Sequence, residues 1–350
     1  MTPAIRPEYL KQHLLKLLNT PSPTGNTEKA IDLVGAEFAN LGLPTQRTAK
    51  GALIATLSGA STRPAKALSA HVDTLGGMVK EIKSNGRLVI SSLGGYYPGS
   101  IVGEYCRVET VQGKTYSGTV LLNKQSVHIH RIGQMHDGAD DFANLEVRLD
   151  AQTASKEETE ALGIQVGDFI SWDPRPQITE TGFIKSRHLD DKACVAIFLA
   201  VAEAFQREAV TPAQTTYFYI SPYEEVGHGA SSGIPDDVGE LVVADIGIVG
   251  EGQNSDEYGV SICPKDGGGP YDLKLRRKLV SLAEAAGIPY NLDIFIHYSS
   301  DGTAAWRAGA TFRVGLIGPG VDASHAYERT HEESLINTAR LIIEFMGEDS

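Results

Sequence analysis

Five short stretches of this 350-residue chain hold side chains that bind cations or move protons: His71-Val72-Asp73, Asp190-Asp191, Glu224-Glu225, Asp245 and His325. Asp190 and Asp191 stand directly before Ala193 to Ala204, a run that is apolar almost all round. Such a run reads as a buried helix, and its start is a costly place for two unpaired carboxylates. They survive there as helix caps, as partners of a base, or as cation ligands, and the helix dipole makes the cap the plainest alternative. Glu224-Glu225 follows the apolar segment Tyr217 to Tyr223 and precedes Val226-Gly227-His228-Gly229, which puts it at a buried strand end. Imidazoles and carboxylates without thiolates suit Zn, Co or Mn. Two such ions share a carboxylate when they lie ~3.5–4 Å apart. A second Glu beside a ligand Glu is what general-base chemistry uses. Taken singly, a His after a strand is more often a hydrogen-bonded core residue, and adjacent Glu residues are more often solvated. The five stretches together carry the argument.

The elements that must position these groups follow from periodicity. Residues 7–19 and 26–43 read as amphipathic helices, with Leu10, Leu14, Leu17 and Leu18 on one face of the first. Strands are expected at 52–57, 65–70, 215–221, 241–244, 291–296 and 311–317, and further helices from Ala193, at 273–286 and at 334–346. His71, Glu224, Glu225, Asp245 and His325 each follow one of these strands, and Asp190 opens a helix. In an open α/β sheet, sites form outside the carboxyl ends of the strands. From about residue 76 to 178 the texture changes to short alternating segments (87–91, 105–111, 117–122, 146–149, 166–172) separated by Gly, Asn and Asp. The expected organisation is a sheet domain of residues 1–75 and 178–350, interrupted by a β-rich domain of residues 76–177.

Composition narrows the function. The net charge of -13 argues against binding nucleic acid or an anionic membrane, because phosphate neutralisation needs Lys and Arg. Cys106, Cys194 and Cys263 are odd in number and far apart, which disfavours a disulfide framework or a thiolate zinc site. Met1 to Lys11 lacks an apolar signal core and no stretch approaches a membrane span, so the reading is a soluble, cytoplasmic protein.

In their order, Ala70-His71-Val72-Asp73-Thr74-Leu75-Gly76, Leu189-Asp190-Asp191-Lys192-Ala193, Glu224-Glu225-Val226-Gly227, Val243-Ala244-Asp245 and Ser324-His325 resemble the glutamyl and tetrahedral aminopeptidases of peptidase family M42. The likeness runs from Leu14 to near Leu341 and includes Glu158 to Asp168, before the return strand. It implies a phosphorylase/hydrolase-like α/β fold, a doubly wound mixed sheet with helices on both faces, and an inserted small β-barrel (PDZ-like). It also implies two divalent metal ions per chain, Zn ahead of Co or Mn, and hydrolysis of N-terminal residues from short peptides. On that resemblance, His71 and Asp245 would be terminal ligands of one metal, Glu225 and His325 of the other, and Asp190 would bridge both. Glu224 would be the general base, and Asp73 would orient the His71 imidazole. The family assembles as dimers through the inserted domain and, in some members, as tetrahedral dodecamers, so a homo-oligomer is expected.

The chain also departs from the family. His325-Ala326-Tyr327-Glu328-Arg329-Thr330-His331 replaces the usual His-Ser-Pro, which makes His331 a rival to His325 as the last ligand. Ser299-Ser300-Asp301-Gly302 stands where the family has Gly-Gly-Thr-Asp. A second function on the same metals is an amidase or deacylase acting on a small modified dipeptide, with Lys265, Arg307 or Arg329 as carboxylate-binding candidates. His128, His130 and His136 read as surface or structural residues, the first two alternating on a strand. Gly267-Gly268-Gly269-Pro270 lacks the Lys-Ser/Thr of a phosphate loop and reads as a flexible loop at the cleft mouth.

Overall fold

The computed structural model describes residues 2–131 and 138–349, so His136 lies outside the described residues. The main sheet has twelve strands. These are β1 (Thr45–Arg47), β2 (Leu53–Leu57), β3 (Ser61–His71), β10 (Gln177–Ile178), β11 (Phe183–Ser186), β12 (Gln214–Ser221), β13 (Val238–Ala244), β14 (Gly247–Val249), β15 (Val260–Lys265), β16 (Tyr290–Ile294), β17 (Arg313–Asp322) and β18 (Glu328–His331). Its main path runs β1-β2-β12-β3-β13-β17-β18-β11-β10, with β14 and β15 pairing β17 and β16 extending from β15. Strands β12, β3, β13 and β17 are mutually parallel, so their carboxyl ends share one edge. Residues Ala65 to His71 of β3 are all buried, as expected of a parallel strand covered on both faces.

The two faces are covered unequally. One face, carrying Leu68, Val242 and Ala244, packs into a large core with α1 (Pro7–Leu18), α2 (Glu28–Asn40), α4 (Leu189–Arg207), α5 (Leu273–Ala285) and α7 (Glu332–Gly347). The other, carrying Ala67, Leu241, Val243 and Leu316, packs with Tyr271, Phe295 and Trp306 of the short α6 (Asp301–Arg307). Every residue of α4 from Leu189 to Phe205 is buried, which accounts for its apolar circumference. The inserted segment closes into an antiparallel barrel, β4-β5-β8-β7-β6-β9, made of β4 (Gly76–Ile82), β5 (Leu88–Leu93), β6 (Tyr105–Glu109), β7 (Thr115–Leu122), β8 (Leu145–Leu149) and β9 (Phe169–Trp172). The short acidic helix α3 (Lys156–Ala161) precedes β9. Among the described residues, no helix is long and apolar enough to cross a membrane.

Several local expectations need correction. His128 and His130 sit in a turn beyond β7, not on a strand, because their segment makes no ladder. Strand β17 runs five residues past Ile317, so His325 belongs to the turn between β17 and β18. The Gly267–Pro270 loop is pinned, since the Asp266 carboxylate accepts from the Gly268 and Gly269 amides at 2.7 and 2.6 Å.

One glycine decides how closely β13 and β17 approach. A Cβ on Gly318 would lie 1.6 Å from the carbonyl oxygen of Asp245, while the Asp245 amide donates to Ile317 at 3.0 Å. No side chain fits between these backbones. Gly318→Ala is expected to destabilise the fold by about 1–3 kcal/mol through overpacking and to displace Asp245. Denaturant unfolding and metal content of the purified variant check this, and wild-type values for both would refute it.

Candidate metal centre

The polar groups arrive by several different elements. His71 is the last residue of β3, and Asp245 follows β13 directly. Glu224 and Glu225 form a 3-10 turn just beyond β12. Asp190 lies in the kinked first turn of α4 and is joined to Asp191 by a cis peptide. His325 occupies the β17–β18 turn with a left-handed φ of 63°, a conformation that non-glycine residues hold only where surrounding contacts impose it.

These elements assemble two donor sets, His71/Asp190/Asp245 and Asp190/Glu225/His325, whose ligand atoms lie within 4.8 Å of one another in each set. Asp190 is common to both. Its Oδ1 is 3.0 Å from His71 Nε2, and its Oδ2 is 3.3 Å from His325 Nε2. His325 Nε2 is 3.7 Å from Glu225 Oε2, and Glu224 Oε2 is 3.8 Å from His71 Nε2. Asp191 points elsewhere, accepting from the His71 amide at 3.1 Å. His331 joins neither set. Its Nε2 lies 2.9 Å from the Thr181 carbonyl, and its Nδ1 caps α7 by accepting from the Glu333 amide.

The residues behind the donors fix their orientation. His71 Nδ1 meets the main-chain carbonyl of Asp73 at 3.0 Å, while the Asp73 carboxylate stands 3.6 Å away. That carboxylate instead accepts from the Glu224 and Glu225 amides at 3.0 and 3.2 Å and from the Thr24 hydroxyl at 2.7 Å. Asp73 therefore ties His71 to the Glu224-Glu225 turn. His325 Nδ1 lies 2.5 Å from the Gly95 carbonyl, contributed by the inserted segment. Glu328 was not singled out from the sequence, yet its buried carboxylate accepts from the His325 amide at 3.1 Å and the Asp190 amide at 3.2 Å. The His-x-x-Glu spacing was its only trace. Asp301 is buried and accepts from the Ala230 amide at 2.9 Å and from Ser69, so it braces the floor of the site.

A cavity of about 450 Å³ opens over Asp190, Glu224, Glu225, Asp245 and His325. Lys265, Arg307 and Arg329 do not line it. Lys265 Nζ donates to the Asp266 carbonyl, and Arg329 pairs with Glu257 and stacks over Phe183.

The donor chemistry fits divalent cations. Glu225 Oε1 is buried without a hydrogen-bond partner. Burial, then the Asp190 charge, pushes Asp245 up to about 8; burial, partly offset by His325, pushes Glu225 up to about 8. Burial opposes the His325 imidazolium, but the hydrogen bond to Asp190 and the Glu225 charge win and push it up to about 11. Burial likewise opposes ionisation of Asp190, but hydrogen bonds from both imidazoles hold it below the usual carboxylate range. A divalent ion in each donor set would replace these protons with fixed positive charge.

The metal-free protein should therefore lose stability as pH rises. Glu225 and Asp245 bind protons in the folded state from their ordinary values of 4.5 and 3.8 up to about 8, and His325 does so from 6.5 up to about 11. Stability falls wherever the folded state holds more protons than the unfolded. The melting temperature of chelator-treated protein is expected to drop between about pH 5 and about pH 8, with added Zn, Co or Mn raising it most at the upper end. A flat profile, or equal metal stabilisation at both ends, would contradict this account.

Comparison with known proteins agrees with the fold. The sequence profile described as M42 glutamyl aminopeptidase matches residues 51–341. A putative aminopeptidase, YhfE, of Bacillus subtilis strain 168 is 50% identical over 327 residues, covering 93% of this chain and 94% of that protein. A TET aminopeptidase from the marine sediment archaeon Thaumarchaeota archaeon SCGC AB-539-E09 superposes with a TM-score of 0.87 at 19% identity, covering 97% of each chain. The Pyrococcus horikoshii TET1 peptidase, described as able to assemble into a tetrahedron or a large octahedral shell, gives 0.85 at 20% identity, over 97% of this chain and 100% of that one. With strand-end donors, a closed inserted barrel and these matches together, the chain belongs to the M42 glutamyl aminopeptidase family and is a peptide hydrolase.

Proposed function

We propose that this chain is a dinuclear metal-dependent aminopeptidase that removes N-terminal residues from short peptides. The observation that carries the reading is Asp190, whose two oxygens each face a different imidazole while the carboxylate belongs to both donor sets. In this reading His71 and Asp245 would hold one ion, Glu225 and His325 the other, and Asp190 would contribute to both. Divalent ions held there supply charge that polarises a carbonyl and acidifies water. Zn fits the mixed imidazole and carboxylate donors, as do Co and Mn.

The chain's own groups carry the remaining steps. The Glu224 carboxylate accepts the proton of the attacking water and returns it to the leaving amine. Burial first, and the Asp245, Asp301 and Glu225 charges with it, raise Glu224 well above the usual carboxylate range, with His71 acting in the opposite sense. Positive charge in the donor sets would bring it back towards a value suited to a base at neutral pH. Asp73 keeps the base in place through the Glu224 amide, and its carbonyl holds His71. The excess of carboxylates around the cavity favours a substrate entering by its cationic amine. An N-blocked substrate has no such charge, and Lys265, Arg307 and Arg329, on which a deacylase would draw, lie away from the cavity lining.

A homo-oligomer joined through the inserted segment of residues 76–177 is part of the proposal. Exposed Tyr97, Tyr105, Val111 and Val166 on that segment support it, as does the tetrahedral assembly of the archaeal relative. Light scattering on the purified protein tests it, and a monomer at working concentration would end it.

Glu224→Gln is expected to keep about two metals per chain while lowering kcat on an aminoacyl-p-nitroanilide by ~10²–10⁴-fold. Elemental analysis and steady-state kinetics on the same preparation read both quantities. Near-normal turnover would remove Glu224 as the base, and cleavage confined to N-acylated substrates would replace the aminopeptidase with the deacylase.

A further inference from the structure

One part of the cavity lining stands outside the donor sets, and its chemistry is distinct. Ile248, Phe295 and Ile296 supply its apolar residues and Gln253 and His297 polar ones, while the Tyr298 hydroxyl donates to the Ile246 carbonyl at 3.1 Å, next to Asp245. Among the described lining residues there is no Lys or Arg, and outside the donor sets His297 alone could carry positive charge. Ile296 and His297 are exposed, at the mouth, whereas Phe295 is buried and packs against Tyr298 with ring centroids 5.5 Å apart.

Gln253 is held in one orientation. Its amide nitrogen is satisfied by Asp293 Oδ1 at 2.9 Å and the Ile294 carbonyl at 3.2 Å. The buried Asp293 carboxylate also accepts from the Asn254 and Ser255 amides at 2.8 and 2.9 Å and from the Ile294 amide at 2.9 Å. The loop before β15 is thereby pinned to β16. With both amide hydrogens directed at these acceptors, Gln253 presents its carbonyl oxygen on the opposite arm, as an acceptor.

We propose that this side of the cavity is the specificity pocket, that it takes an uncharged, largely apolar side chain of the substrate's N-terminal residue, and that Gln253 excludes carboxylate side chains from it. The proposal rests on the aminopeptidase reading and names the substrate class for it. A carboxylate placed there would leave water for apolar walls and find no Lys or Arg to pair with, a combination that costs rather than stabilises. Leucine-like side chains lose little by entering, and a side-chain amide could donate to the Gln253 oxygen. The pocket thus runs against the acidic preference in the family's description.

The test separates this pocket from the chemistry beside it. Metal-loaded protein is titrated by calorimetry with the hydroxamates of leucine, glutamine and glutamic acid at about pH 8, where a glutamic side chain is ionised. The same protein is assayed on the matching aminoacyl-p-nitroanilides. Leucine and glutamine hydroxamates are expected to bind at least about tenfold more tightly than the glutamic compound, with kcat/KM in the same order. Gln253→Arg, which supplies a bidentate cation, is expected to raise the ratio of glutamic to leucine binding by about tenfold or more. Glutamic hydroxamate binding as tightly as leucine, no binding by any of the three, or a Gln253→Arg ratio unchanged from wild type would each overturn the proposal. Selective hydroxamate binding without hydrolysis of any nitroanilide would leave the pocket standing and remove the aminopeptidase reading instead.

Discussion

Crowded negative charge is the constraint on which the rest of this structure depends. Asp190, Glu224, Glu225 and Asp245 line one cavity and come from three different elements. Two like charges 4 Å apart repel by about 4 kcal/mol at an effective dielectric of 20, and four carboxylates multiply such pairs. Two protonated imidazoles offset only half of that charge. Two divalent ions would balance four carboxylates and leave both imidazoles neutral, the form in which they ligate metals. In their absence the protein holds protons instead: burial first, and the neighbouring Asp190 charge with it, push Asp245 and Glu225 up to about 8. Removing a metal from such a site therefore changes the protonation of the whole cluster as well as its catalytic power.

The sheet meets the constraint by geometry. Parallel strands deliver β3, β12, β13 and β17 to a common edge, and each ends within a few residues of a donor. The inserted segment supplies more than an appendage. Gly95 holds the His325 imidazole, and Glu104 pairs with the buried Arg187 at 2.7 Å. Arg187 in turn donates to the Ala326 carbonyl at 3.1 Å, beside His325. The β17–β18 turn is thus clamped from the inserted segment on one side and by Glu328 on the other. That double clamp explains how His325 is kept at a left-handed φ.

Much of this was legible because apolar runs have few alternatives. The all-buried α4 and the strands ending at His71, Ser221 and Ala244 announced themselves by composition, and the donors followed at their ends. What escaped depends on the path of the backbone through space. Glu328 reads as one charged residue among several in Tyr327-Glu328-Arg329, and only the turn reveals that it faces two amides. Main-chain carbonyls such as those of Gly95 and Asp73 have no sequence signature at all. Strand β15 holds Pro264 near its end, and Pro weakens the usual strand signal. Lys265 and Arg329 looked available because spacing along the chain says nothing about partners, and both are engaged elsewhere.

Family membership and substrate choice are written in different parts of the molecule. The donor sets suit divalent cations whatever side chain a substrate carries. Ile248, Phe295 and Gln253 line the cavity outside the donor sets and carry no charge of their own. On the pocket proposed above, substitutions there would alter which residue fits while leaving the charged cluster in place. Substitutions at Asp190 or Glu225 would disturb both. The likeness in fold to archaeal aminopeptidases at about one-fifth identity therefore supports the architecture and leaves the preferred substrate to be argued from this chain's own cavity.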